Sequence, residues 1–235
     1  MNLETCKRHM KSNGLKIGKI VDGKWKQKTK KEMMAELQQI SGGSLTGTET
    51  RELLDASYDK NIKKVGDYEV DDKLSSKTSR VFVNPDTGET VVLHQGTQGM
   101  SDWGNNLAYA FGGKKLYKRT GRYKEAKRVQ DRASKTYGDE NITTLGHSQG
   151  GLQAEMLGSK GKDTITVNKA TRPLQNKKNK NQTDIRVKGD IVSALNPFQR
   201  KRGKKNIQIN RKGLNPLKNH SYDILDRLKY DITNE

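Results

Sequence analysis

A single cysteine, Cys6, is the whole thiol complement of this 235-residue chain, so no internal disulfide can form and no thiolate metal cluster is encoded. Its four histidines, His9, His94, His147 and His220, are scattered without ligand spacing, and no metal or other cofactor is expected. Residues 1–25 contain no apolar run of signal-peptide length, and no segment is apolar enough over a sufficient length to span a bilayer. The expected location is therefore cytoplasmic, nuclear or packaged in a virion. Aliphatic residues are also scarce. Leu, Ile, Val and Phe make up only about 19% of the chain and the net charge is +19, a combination that leans toward disorder. The charge, however, is unevenly placed. Residues 112–135 hold ten basic and two acidic side chains, and residues 172–218 hold fourteen and two, whereas residues 81–111 and 136–171 are close to neutral. A folded core with basic connections accounts for this distribution, and the length suits one α/β domain.

One near-neutral segment, NITTLGHSQGGLQAEML (residues 141–157), reads as a strand, a glycine-flanked serine and a helix. Ile142 to Leu145 are β-rich, Gly146 and Gly150 bracket Ser148, and Leu152, Met156 and Leu157 recur on one helical face. Such a G-x-S-x-G turn is the pattern of a nucleophile elbow, where small residues two before and two after the serine keep strand and helix from colliding. A helix starting near Gln149 would aim its first N–H groups at charge developing beside the serine.

The pentapeptide alone occurs by chance in many chains, so its required company matters. A hydrolase of this type needs an acid and then a histidine further along. His220 is the only histidine after Ser148. Asp184 and Asp190 are the candidate acids; Asp190 is preferred because it follows the predicted strand Ile185–Val187, at the edge where open α/β sheets place functional loops. The second half of an oxyanion hole is expected after the predicted strand Thr90–Leu93, where Gly96, Thr97 and Gly99 break the apolar run. The Thr97 and Gln149 N–H groups are the candidate donors, with the Thr97 hydroxyl as an aid. The alternative for that loop is a glycine-rich turn with Trp103 anchored in the core.

Five blocks in order, HQGTQGMSDWGNNL, GHSQGG, ITVNKATRP, GDIVSALNP and NHSYDIL, give the chain a resemblance to the class 3, fungal-lipase-like branch of the α/β-hydrolases over residues 48–230. The resemblance implies an α/β-hydrolase fold, with Ser148 as nucleophile, Asp190 as acid, His220 as base, and Thr97 and Gln149 as the oxyanion hole. Gln95 stands where that family often has arginine, and Lys169, Ala170 and Thr171 replace its Ala-Pro step, so the packing around the site must differ. No greasy lid follows Trp103.

The expected organisation is a basic N-terminal extension over residues 1–47, with one amphipathic stretch KKEMMAELQQI, followed by the hydrolase domain over residues 48–235. Within the latter, a capped helix from Thr48, a polar connector to Ser79, a hairpin about Asn84–Gly88, a helix over 121–137, strands over 164–167, 185–187 and 206–209, and a helix over 222–230 are predicted. A serine acyl-ester hydrolase acting on lipid esters is the leading function. A thioesterase, a peptidase or a structural virion protein retaining the fold are the alternatives. An anionic membrane surface is the favoured partner for the basic residues, above all Arg200–Lys205, ahead of nucleic acid, since residues 196–216 hold one aromatic, Phe198. The lysine- and asparagine-rich composition points to a virus-encoded member. Oligomeric state is open.

Overall fold

The computed structural model describes residues 45–97, 117–170, 179–190, 205–209, 220 and 221, with parts of residues 3–32. In the N-terminal part, β1 (Gly18–Val21) and β2 (Lys24–Gln27) pair antiparallel as a small hairpin of their own. The amphipathic stretch 30–40 falls almost wholly outside the described residues, as do Trp103, residues 200–204 and the predicted helix over 222–230.

Helix α1 (Gly47–Tyr58) begins one residue before the expected Thr48 start, because Thr46 caps it. The Thr46 hydroxyl accepts the Glu49 N–H at 3.1 Å and the Glu49 carboxylate accepts the Thr46 N–H at 2.9 Å, a reciprocal capping box. The connector to Ser79 is not featureless: it contains β3 (Lys64–Val65) and β4 (Tyr68–Val70). Strands of two and three residues are too short to show a period of two in the sequence. Next come β5 (Ser79–Val83) and β6 (Thr90–His94), joined as the predicted hairpin. They are followed by α2 (Gly121–Tyr137), β7 (Ile142–His147), α3 (Gln149–Leu157), β8 (Asp163–Val167), β9 (Gln182–Val187) and β10 (Lys205–Ile209).

Strands β3 to β10 form one sheet in simple sequential order. Pairing is antiparallel from β3 to β6 and parallel from β6 to β10. This mostly parallel sheet is covered on both faces, which makes the fold α/β. Alternation sorts the side chains. Phe82, Val91, Leu93, Leu145, Ile165 and Ile185 pack on one face with Leu53, Leu54 and Ala56 of α1. On the opposite face Val81, Val92 and Ile142 meet Val129 and Ala133 of α2. Leu45 is buried in the α1 cluster too, so the packed core takes in residues just before that helix.

Two buried cations fasten the helices. The Arg80 guanidinium, on β5, donates to the carbonyls of Ala56, Asp59 (2.9 Å) and Ile62 (2.8 Å), occupying acceptors at the C-terminal end of α1. Lys169, just after β8, holds Glu155 of α3 and both oxygens of Asp184 on β9, at 2.9 and 3.0 Å from the latter. Gln182 Nε2 donates to the same two carboxylates. This cluster ties α3 to the sheet through side chains that are almost completely buried. Replacing Lys169 by Met would leave two buried carboxylates without their cation. It is expected to lower the unfolding free energy by about 3–5 kcal/mol, read from the denaturant midpoint; a loss under about 1 kcal/mol would mean that the cluster is not ionised as drawn.

Candidate active site

Ser148 stands between β7 and α3 with φ 54° and ψ −121°, a left-handed conformation that a non-glycine residue adopts only when its surroundings enforce it. Enforcement is visible on both sides of the peptide. The Ser148 N–H donates to the Val167 carbonyl at 3.0 Å, and its own carbonyl accepts from Ala170 N–H at 2.9 Å. The flanking glycines permit the sharp turn. A Cβ on Gly146 would lie 2.2 Å from the Gly150 carbonyl oxygen, and one on Gly150 only 1.9 Å from the His94 carbonyl oxygen.

The serine hydroxyl lies 2.9 Å from His220 Nε2, and His220 Nδ1 lies 2.8 Å from an Asp190 carboxylate oxygen. Asp190 follows the Gly189 turn (φ 84°) off the end of β9 and its side chain is fully buried, while His220 is 13% exposed. Ser148, Asp190 and His220 therefore come together in one hydrogen-bonded line. Asp184 does not join them; it is committed to Lys169 and to the Thr166 hydroxyl.

Thr97 and Gln149 also meet at this point. The Thr97 hydroxyl donates to the Gln149 side-chain carbonyl at 3.1 Å, so in this arrangement it links the two candidate oxyanion donors rather than pointing at a substrate. The loop before Thr97 lies close against the elbow: a Cβ on Gly96 would sit 3.2 Å from Ser148 Cβ. Arg122, in the first turn of α2, reaches this loop and donates to the carbonyls of Gln95 and Gly96 (2.8 Å to the latter).

Three residues that sequence reasoning did not single out bind this region together. Asn168 (φ 43°) donates from its amide to the His220 carbonyl at 3.0 Å and accepts the Val187 N–H at 2.9 Å, joining the ends of β8 and β9 to the histidine segment. Tyr58 and His147 form the other bridge, with the Tyr58 hydroxyl 3.0 Å from His147 Nδ1. His147 was visible only as the variable position inside the serine motif.

A second Ser–His pair competes for attention. Ser79 Oγ lies 2.8 Å from His94 Nδ1, across the β5–β6 register. Both residues are completely buried, and burial pushes the His94 imidazole down to about 4. No described carboxylate orients that ring, and neither side chain is reachable by a substrate. It is a neutral core hydrogen bond. Among the described residues, no group of three His, Cys, Asp or Glu side chains is placed to hold a metal.

No protein-family model and no curated protein matches the sequence. Among solved structures, the crystal structure of Lip2 lipase from Yarrowia lipolytica is similar at 15% identity, with a TM-score of 0.37, over 57% of this chain and 63% of that one. The similarity thus spans less than two thirds of that lipase, and at this level it carries no argument about chemistry.

The steric reading of the elbow is open to test. Gly150→Ala is expected to lower stability by about 2–3 kcal/mol, because backbone rather than a flexible side chain opposes the new Cβ. Gly121→Ala, where nothing lies within 4 Å at the start of α2, should be neutral or slightly stabilising. Equal thermal midpoints for the two variants would contradict the packing described.

Proposed function

We propose that the chain is a serine acyl-ester hydrolase of α/β-hydrolase type. The observation that carries this reading is the line from Ser148 through His220 to buried Asp190, at 2.9 and 2.8 Å, on a left-handed strand-to-helix turn. In the ester reaction His220 Nε2 accepts the Ser148 proton as the oxygen attacks the carbonyl carbon. Asp190 accepts the Nδ1–H bond and balances the imidazolium that forms. The oxyanion meets the N–H groups of Thr97 and Gln149, the latter at the positive end of α3. His220 then gives its proton to the departing alcohol, and water, deprotonated by the same nitrogen, releases the acyl group. All groups needed for this cycle belong to the chain itself, and no metal step is required.

A lipid ester is the proposed substrate class, with an anionic membrane surface as the place of action. The support is the contrast between the near-neutral segments that bear Thr97, Ser148 and Gln149 and the basic stretches over 112–135 and 172–218, the second of which also holds Asp190. Thioesterase or peptidase activity would use the same residues, since a triad specifies a mechanism rather than a substrate. In domain terms, the proposed catalytic unit is residues 48–235, with residues 1–47 as a basic extension. No helix of the described residues is long and apolar enough to cross a membrane.

Ser148→Ala is expected to abolish both fluorophosphonate labelling and hydrolysis of a p-nitrophenyl ester, a loss on the order of 10⁴-fold or more, with folding retained. Asp190→Asn should lower kcat by roughly 10³- to 10⁴-fold through the wrong imidazole tautomer. Asp184→Asn should act on stability and leave kcat within a few-fold of the parent. Near-normal turnover by Ser148→Ala would end the proposal, and a reversal of the two aspartate results would exchange their roles.

Membrane attraction predicts that Ser148→Ala protein binds vesicles more strongly as anionic lipid increases and less strongly as salt rises, since screening shortens to about 8 Å at physiological ionic strength. Binding that ignores lipid charge and salt, together with steeply salt-dependent duplex DNA binding, would assign the basic surface to nucleic acid.

A further inference from the structure

His147, the residue before the nucleophile, has its Nε2 2.9 Å from the carbonyl oxygen of His220. A carbonyl can only accept, so Nε2 carries a proton. In the neutral ring Nδ1 is then an acceptor, and the Tyr58 hydroxyl 3.0 Å away donates to it. That same hydroxyl oxygen accepts the Gly96 N–H at 3.0 Å. The bonds run in one direction: Gly96 N–H to Tyr58, Tyr58 O–H to His147, His147 N–H to the His220 carbonyl.

We propose that Tyr58 is a positioning residue: its hydroxyl, at the end of α1, locks the oxyanion loop, the serine turn and the histidine segment into one arrangement. This rests on the ester-hydrolase reading above, and it reaches beyond the motif residues to a helix that carries none of them. Three features support the role. Arg80 holds the carbonyls around the end of α1, so the tyrosine is delivered by a fixed element. Burial pushes its hydroxyl up to about 12, which keeps it protonated and able to donate. Gly96 is gripped through both of its peptide units, the Gln95–Gly96 unit at its N–H by Tyr58 and the Gly96–Thr97 unit at its carbonyl by Arg122 at 2.8 Å. Because a trans peptide points C=O and N–H in opposite directions, the Arg122 grip turns the Thr97 N–H away from the guanidinium. A Cβ on Gly96 would stand 2.5 Å from the Tyr58 oxygen, so this close approach also requires glycine.

The test is Tyr58→Phe, which removes one oxygen and keeps the ring. With p-nitrophenyl butyrate, kcat is expected to fall by about 10- to 100-fold, as for a small misplacement of reacting groups, with KM within about threefold and the thermal midpoint nearly unchanged. His147→Gln retains a donor near Nε2 but loses the Nδ1 acceptor, and it should cost a similar factor. The double variant should lose no more than the worse single one, because both break the same chain. Tyr137→Phe, whose hydroxyl donates to Asp71 at 2.8 Å away from the site, is the control and should turn over like the parent.

Parental kcat in Tyr58→Phe, or losses that multiply in the double variant, would overturn the proposal. A readout independent of turnover separates it from the reading it rests on. The ¹⁵N shifts of the His147 ring should report the Nε2–H tautomer in the parent and shift toward a tautomer mixture in Tyr58→Phe. Shifts indifferent to Tyr58→Phe would overturn the linkage even in an inactive protein. A parent that neither hydrolyses esters nor labels at Ser148, yet shows the tautomer change, would retain the linkage and lose the hydrolase.

Discussion

Ser148 can hold a left-handed backbone between β7 and α3 only because neither Gly146 nor Gly150 carries a Cβ, and much of the described molecule is arranged around that constraint. Gly150 lets α3 press against the end of β6, which brings the loop at Gly96 and Thr97 to the serine. Gly146 lets the helix turn back over its own strand. The strain of the serine, on the order of 1–3 kcal/mol, is held by hydrogen bonds from Ala170 and to Val167, and hence by β8.

Burial decides what each charged or titratable group can do. Among the described residues two Ser–His pairs lie within hydrogen-bond distance, and their surroundings distinguish them. His94 is sealed between β5 and β6 and kept neutral, whereas His220 faces Asp190 on one side and Ser148 on the other with part of its ring exposed. Lys169 illustrates the opposite use of burial. Its ammonium is enclosed with two carboxylates beneath the elbow helix, where the low dielectric makes an unpaired charge costly and a matched one a rigid tether. The net positive charge belongs mainly to residues 112–135, most of them in α2, and to residues 172–218.

The helices contribute unequally to the proposed site. Helix α3 supplies its N-terminus directly, while α1 and α2 reach it through one side chain each, Tyr58 and Arg122. Both act on Gly96, Tyr58 at its N–H and Arg122 at its carbonyl, groups of two successive peptide units. The carbonyls that Arg122 binds are backbone groups, so its grip does not depend on the side chain at position 95.

The sequence alone determined the elements whose local chemistry is strong: the 17-residue helix α2 with its buried stripe of Tyr123, Ala126, Val129 and Ala133, the β5–β6 hairpin about a turn-forming loop, and the strand, glycine-bracketed serine and helix in succession. It also left His220 as the one histidine after Ser148, the sole candidate base by chain order. Tertiary structure alone decided the rest. Strands β3 and β4 are too short to carry a period, and they exist because β5 offers an edge to pair with. Asp190 and Asp184 differ by six positions and look alike as letters; what separates them is that Gly189 turns one off the strand toward His220 while the other remains in β9 facing Lys169. Tyr58 and Arg122 lie in no motif, and Asn168 falls in the ITVNKATRP block without a role being legible there; what all three do depends on distances between segments far apart in the chain, and such distances are set by how helices pack on a sheet rather than by any local pattern.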